Sequence, residues 1–343
     1  MVRMALIGCG AAGKSHLQEM LKLSEIKVVA VSDIRKEALD EVRQKFGIDK
    51  TYIDYKEMMQ KEELDAVSIV TPTSTHPEVI MTAAAHGLHV MCEKPLSLSV
   101  REGEAAVEAM RRADRVLAVT YTYRFVPDTR RMKEIIDSGL LGDILEIRYL
   151  RYEGRPEKPP EGSEQRRRYD WFFSPEGLGL VYDCGIHGFD LLRWYAGSEV
   201  ASVWASGEYH MGYDYPDSAT AIFRYENGIK GLFDYGEVAP YVTDTGGLLF
   251  KIIVTGRQGT AVWHYAGQRV ESGWRTTIST YTRAGRQQEM FLTYTKARDL
   301  QYQQFAESVR SGHLQGYWGT AEDAVEATRI GLEVLRQCDE RST

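Results

Sequence analysis

The chain has 343 residues, 43% hydrophobic and 27% charged, with a formal net charge of −7. Its length exceeds what one hydrophobic core ordinarily supports, so two domains are expected, and its acidic balance argues against a nucleic-acid partner, because neutralising phosphates takes a basic face. No apolar run is long enough for a membrane-spanning helix, so no membrane partner is expected. Cys9, Cys92, Cys184 and Cys338 lie far apart, with neither metal-ligand nor disulfide spacing. The opening MVRMALIG reads as a strand rather than a charged region leading into a signal peptide. The expectation is a cytoplasmic protein without a metal.

In chain order, MALIGCGAAGKSHLQEML is an apolar strand, then Gly8-Cys9-Gly10-Ala11-Ala12-Gly13, then a helical pattern carrying Leu17, Met20 and Leu21. In such a turn the first glycine permits the tight bend, the second lets the backbone approach a pyrophosphate, and the third allows helix and strand to pack closely. The helix N-terminus offers free N–H groups to the phosphates. A second strand, KVVAVSD, ends at Asp33, twenty residues past Gly13. A carboxylate there accepts hydrogen bonds from the adenosine ribose and repels a phosphate on it. Gly8, Gly10, Ala11, Ala12, Gly13, Asp33 and Ile34 are therefore candidate cofactor residues for NAD. Arg35 joins them and leaves NADP open.

The alternation continues with a helix at Lys36–Phe46, a strand at Asp65–Thr71, a helix at Pro77–Gly87, a strand at Leu88–Lys94, a helix at Ser99–Ala113 and a strand at Arg115–Tyr121. Strands alternating with helices imply a parallel sheet covered on both faces, with ligands beyond the carboxyl ends of the strands. Three segments leave those ends: Thr71-Pro72-Thr73 with His76, Glu93-Lys94-Pro95, and Tyr121-Thr122-Tyr123-Arg124. A capped helix start at Thr73–Pro77 and an ordinary surface role for Lys94 are the competing readings.

Farther on, Leu145–Arg151, Val200–Glu208, Ser218–Tyr225, Ile229–Gly236, Leu248–Thr255 and Gly259–Tyr265 show the period-two alternation of strands. Glu153–Gln165 reads as a Pro/Gly-rich loop or lid, with Arg166, Arg167 and Arg168 in a loop-like segment after it. Trp171 and Phe172 are candidates either for stacking on a sugar or for the core. In LVYDCGIHGFDLLRWYAG, Leu180–Gly197, helix from about Cys184 onward places Asp183 and His187 four apart on one face. That spacing suits an acid/base pair, and equally an amphipathic helix with a packed histidine.

The glycine loop, TPTSTH at Thr71–His76, CEKP at Cys92–Pro95, YRFVP at Tyr123–Pro127, YDCGIHGFDLLRW at Tyr182–Trp194 and GTAEDAVEATRIGLEVL near the end recur in this order. Over nearly its whole length the chain resembles the glucose-fructose oxidoreductase / inositol dehydrogenase / MocA (Gfo/Idh/MocA) family. The resemblance implies an α/β fold, with an N-terminal Rossmann dinucleotide-binding domain over 1–123. A C-terminal α/β domain over 124–343 would carry a large open, mostly antiparallel sheet, and its last helix, about 320–337, would pack back on the first domain. It implies Lys94, Asp183 and His187 as the catalytic trio, with His187 the general base, Asp183 orienting it or binding substrate, and Lys94 at the reacting oxygen. Thr71, Pro72, Thr73, His76, Glu93, Lys94 and Arg124 would complete the cofactor site, and Tyr123, Arg168 and Trp171 would join the trio around the substrate. The expected activity is NAD(P)-dependent hydride transfer from a secondary hydroxyl of a sugar, sugar derivative or cyclitol, by a homodimer or homotetramer associating through the C-terminal sheet. Two alternatives stay open: transient oxidation by a tightly held NAD in glycoside cleavage or isomer chemistry, and a non-catalytic nucleotide sensor. One departure from the family pattern is Gly177-Leu178-Gly179 in place of three glycines, which bears on substrate fit.

Overall fold

Strong β-α alternation in the first third and period-two strands in the second produce two different sheets. The structure, a computed structural model, describes residues 1–153, 159–237, 248–270, 273–293 and 297–340. Two compact units emerge: Met1–Thr122 with Lys296–Thr328, and Tyr123–Thr295 with Arg329–Thr343.

In the first unit the elements run β1 (Val2–Ile7), α1 (Ala11–Met20), β2 (Ile26–Ser32), α2 (Lys36–Phe46), β3 (Thr51–Tyr52), α3 (Tyr55–Lys61), β4 (Ala66–Ile69), α4 (His76–Ala85), β5 (His89–Cys92), α5 (Val100–Arg112) and β6 (Leu117–Val119). The strands form one parallel sheet in the order β3-β2-β1-β4-β5-β6, the doubly wound arrangement of dinucleotide-binding folds. Its strands are apolar and buried on both faces: all four residues of β4 are buried. Helices present one apolar stripe to the sheet, as α2 does with Ala38, Leu39 and Val42 before Gly47 closes it in a left-handed cap.

The second unit continues with α6 (Pro127–Asp137), β7 (Ile144–Glu153), α7 (Glu164–Phe172), α8 (Gly179–Asp183), α9 (Ile186–Ala196), β8 (Val200–Glu208), β9 (Ser218–Tyr225), β10 (Lys230–Gly236), β11 (Leu248–Gly256), β12 (Gly259–Val270), β13 (Gly273–Thr282) and β14 (Gly285–Thr293). These eight strands lie in the order β14-β13-β12-β11-β7-β10-β9-β8. Every pairing is antiparallel except β10 with β7. Along β9, Ala219, Ala221, Phe223 and Tyr225 are buried while Thr220, Ile222 and Arg224 point outward. One face therefore packs on α9 and the other stands open, with Trp204, Ile222 and Leu232 in register on β8, β9 and β10. Edge strand β8 is partly covered: the Gln337 side chain donates to Val203 O at 2.9 Å and accepts from Ala205 N–H at 2.8 Å.

The final helices, α10 (Ala297–Ser311) and α11 (Ala321–Glu340), divide differently. α10 belongs to the first unit, where Tyr302, Phe305 and Ala306 enter the core with Leu17 and Met20 of α1. α11 begins in the first unit and continues into the second from Arg329. Among the described residues, no helix is long and apolar enough to cross a membrane.

Two expectations require correction. Arg166–Arg168 sit on helix α7 rather than in a loop, since Ser163 caps its start by accepting the Arg166 N–H at 3.0 Å. Asp183 and His187 do not share a helix: Asp183 ends α8, and a break at Cys184-Gly185 precedes α9. Of the Pro/Gly-rich stretch, residues 154–158 lie outside the described residues.

Candidate active site

The cofactor half is built in the first unit. Gly8 bends the chain at φ +96°, and a Cβ there would lie 2.3 Å from the Val70 carbonyl oxygen. A Cβ on Gly13 would lie 1.9 Å from the Gly8 oxygen, so the start of α1 and the ends of β1 and β4 meet at a separation no other residue allows. Gly10 differs. The nearest atom to its would-be Cβ is Arg35 Nη2 at 3.8 Å, so the fold leaves space there that a bare backbone keeps available to a pyrophosphate. The N-cap residue of α1, Gly10, makes no side-chain cap bond, and the first turn carries no acid, an arrangement compatible with an anion at this helix N-terminus.

Asp33 leaves the end of β2 nearly buried. Its Oδ2 accepts the Cys9 N–H at 2.7 Å, and its Oδ1 accepts the Arg35 N–H at 2.9 Å and Arg35 Nε at 3.2 Å. These bonds fix the carboxylate against the glycine loop, while the Ile34 side chain stands 85% exposed beside it. Burial and the Asp33 charge push the Cys9 thiol up to about 12, so it stays protonated. These features fit a dinucleotide.

Next along the sheet, Thr71 and Pro72 lead into a 3-10 turn, Thr73–Thr75, in which Thr75 Oγ1 donates to Thr71 Oγ1 at 2.7 Å. His76 is buried, with Nδ1 2.8 Å from Pro95 O and Nε2 2.9 Å from Thr71 O. Both ring nitrogens face main-chain carbonyls, one on each of two loops. At the end of β5 the Lys94–Pro95 peptide is cis. Glu93 Oε1 meets His16 Nε2 at 2.7 Å, and Oε2 accepts the Lys94 N–H at 3.2 Å. Burial pushes the Glu93 carboxyl up, but the His16 bond and the charges of His16, Lys94 and Arg298 outweigh it and hold it well below the usual range.

The second unit supplies the Asp183–His187 element. Gly185 and Gly188 flank His187, and a Cβ on them would lie 2.9 Å and 2.7 Å from the Phe233 ring. This close approach seats the first turn of α9 directly on the sheet. The His187 ring meets Tyr123 edge-on at 5.1 Å, and Tyr123 in turn meets Phe250 at 5.5 Å. Asp183 is buried, with Oδ2 3.7 Å from Cys184 Sγ.

Arg124 is buried within this unit. Its Nε lies 3.0 Å and its Nη2 2.6 Å from the Asp190 carboxylate, and its guanidinium lies over the Trp194 ring at 5.6 Å. Trp171 packs on Phe172 at 5.2 Å, and the Arg168 side chain lies outside the described residues. The sequence reading missed Arg151 on β7, which pairs with Glu153 and lies 5.9 Å from both the Tyr235 and Phe250 rings. A charged residue at an inward-facing position of an alternating strand was the available signal.

Residues 2–121 match the model of an oxidoreductase family with an NAD-binding Rossmann fold, and residues 129–262 match the GFO/IDH/MocA C-terminal domain. The chain belongs to the Gfo/Idh/MocA oxidoreductase family. This NAD-binding oxidoreductase is 28% identical over 346 residues to myo-inositol 2-dehydrogenase from Thermotoga maritima, across 99% of this chain and 97% of that protein. It is 31% identical to the NAD(+)-dependent scyllo-inositol 2-dehydrogenase of Bacillus subtilis over 71% of this chain and 69% of that protein. Its fold superimposes on the crystal structure of myo-inositol 2-dehydrogenase from Lactobacillus plantarum with a TM-score of 0.80 and 22% identity, covering 99% and 98% of the two chains.

Replacing Asp33 with Ala removes the carboxylate expected to accept the ribose hydroxyls and to repel a ribose phosphate. In this Gfo/Idh/MocA oxidoreductase, fluorescence titration is expected to show NAD binding weakened about 10-fold and the NADP-to-NAD affinity ratio raised. A preference for NADP in the unmutated protein would contradict this assignment.

Proposed function

We propose that the protein is an NAD-dependent dehydrogenase of polyhydroxylated rings, a sugar, sugar derivative or cyclitol, oxidising one secondary hydroxyl to a ketone. The observation that carries this reading is that an NAD-type glycine loop closed by Asp33 occurs in the same chain as the Asp183–His187 element. Relatives named as inositol 2-dehydrogenases support the ring substrate.

Bound NAD supplies the hydride acceptor. Hydride departs only as the hydroxyl proton is removed, which requires a base with a pKa near neutrality. His187 takes that proton, with Asp183 just ahead of α9 binding substrate or orienting the imidazole. The role proposed for the Lys94 ammonium is to stabilise the developing alkoxide. Tyr123, against the His187 ring, holds the imidazole plane and presents an aromatic edge to the substrate, with Trp171 as a further substrate contact. The four cysteines are free thiols, which suits the reducing cytoplasm we infer for the enzyme.

We also propose that copies of the chain associate through the open face of the second sheet, where Trp204 is 43% and Ile222 39% exposed on neighbouring strands. Apolar side chains in register on a flat face suit a second copy. Sedimentation of Ile222→Glu is expected to show smaller particles than the unmutated protein, and an unchanged sedimentation coefficient would reject this face.

The catalytic assignment is tested by NADH absorbance with a panel of inositols and sugars. His187→Asn should lower turnover per NAD-binding site by about 10²–10⁴-fold at an unchanged melting temperature. Lys94→Met should also lower it, and the two losses should not add in the double variant, because both residues act on one proton transfer. Normal turnover in His187→Asn, with lowered stability, would make the histidine structural.

A further inference from the structure

We propose that two buried histidines, His16 and His76, are positioning residues that grip the Glu93-Lys94-Pro95 turn from its two sides and so set the place of Lys94. The inference rests on the role given to Lys94 above. Neither histidine touches solvent: His16 is 0% and His76 1% exposed. Each ring nitrogen lies within 2.9 Å of a polar atom of the protein.

On one side, His16 projects from α1, the helix that begins at the glycine loop. Its Nε2 meets Glu93 Oε1 at 2.7 Å, and its Nδ1 meets Tyr302 Oη of α10 at 2.8 Å. Ser68 Oγ on β4 lies 2.8 Å from the same hydroxyl. The other oxygen of Glu93 accepts the Lys94 N–H at 3.2 Å. An unbroken line of bonds, buried at Tyr302 and His16 and partly buried at Glu93, thus runs from α10 through α1 to the peptide of Lys94. Breaking any link strands a polar group away from water, so the line resists distortion.

On the other side, His76 opens α4, and its Nδ1 reaches the Pro95 carbonyl at 2.8 Å. Burial lowers the pKa of this ring against the opposing pull of the Thr71 and Pro95 carbonyls, so at neutral pH it carries one N–H. The grip on Pro95 requires that hydrogen on Nδ1, donating to the Pro95 carbonyl, and the unprotonated Nε2 then makes no hydrogen bond to Thr71 O. Lys94 then lies between two anchored neighbours. Its ammonium sits on a flexible four-carbon stem, so the protein can fix the charge most directly by fixing the backbone that carries the stem. A misplacement of about 1 Å at a reacting group costs on the order of 10²-fold in rate.

The experiment uses full-length His76→Asn, His76→Gln, His16→Gln and His16→Ala. An Asn amide nitrogen falls near the place of Nδ1, and a Gln amide nitrogen near that of Nε2. Turnover is measured per NADH-binding site, NADH affinity by fluorescence titration, and the position of Lys94 by its rate of acetylation with acetic anhydride at fixed pH, read by peptide mass spectrometry. His76→Gln and His16→Ala are expected to lose about 10- to 100-fold in kcat with NADH affinity retained. His76→Asn and His16→Gln, which keep the bonds to Pro95 and Glu93, should lose much less. Lys94 acetylation should change in the first pair and stay near the unmutated rate in the second. Equal behaviour of Asn and Gln at position 76, or losses confined to NADH affinity, would overturn the proposal. An unmutated protein without dehydrogenase activity would refute the catalytic role of Lys94, while the acetylation ranking would still decide whether the histidines position it.

Discussion

The first unit depends on one close approach. Where α1 leaves β1, the Gly13 backbone comes so near the Gly8 carbonyl that a Cβ would sit 1.9 Å from it, and Gly8 is equally pressed against Val70. Because these backbones touch, the N-terminus of α1 opens at the carboxyl end of the sheet, and Cys9 can donate its N–H to Asp33 at 2.7 Å. The same geometry sets His16 within 2.7 Å of Glu93. A single packing constraint thus aligns the glycine loop, the Asp33 carboxylate and the turn that carries Lys94.

The second unit solves a similar problem with different means. His187 is placed by two glycines that let α9 rest on the Phe233 ring, and by Tyr123 against its own ring at 5.1 Å. Tyr123 is next to Arg124, whose buried pair with Asp190 joins the Tyr123 segment to α9 one turn beyond the histidine. Breaking one partner of such a pair leaves an uncompensated buried charge, which makes it a stiff connection. Both units therefore hold the backbone on either side of a proposed reactive side chain.

The sequence disclosed the elements whose pattern is set by local physics. The glycine loop, the strand ending at Asp33, the amphipathic α2 and the alternating β9 were all legible, because turn sterics and burial periodicity act over a few residues. Legibility failed where distant partners decide. Nothing near Arg124 in the chain reveals that its partner is Asp190, 66 positions on, so a polar residue after a strand end reads as a ligand contact. The polar neighbours of His76 are hidden in the main chain, being carbonyls on two separate loops. The break between Asp183 and His187 is hidden because the residues on both sides are helical and Gly185 reads as an ordinary interruption. β13 and β14 are rich in Thr, Gln and Arg, and α10 shows an apolar stripe too thin to stand out, so these elements depend on neighbours for their assignment.

The central claim is that the chain moves hydride from a hydroxyl-bearing ring carbon to bound nicotinamide. Incubating the protein with NAD and myo-inositol deuterated at its ring carbons, then weighing the reduced cofactor by mass spectrometry, tests that transfer atom by atom. The account predicts NADH that carries deuterium from the substrate and a ketone lacking it at the oxidised carbon. NADH carrying only solvent-derived hydrogen, or no reduction of NAD with any inositol or sugar offered in the same deuterated form, would contradict it.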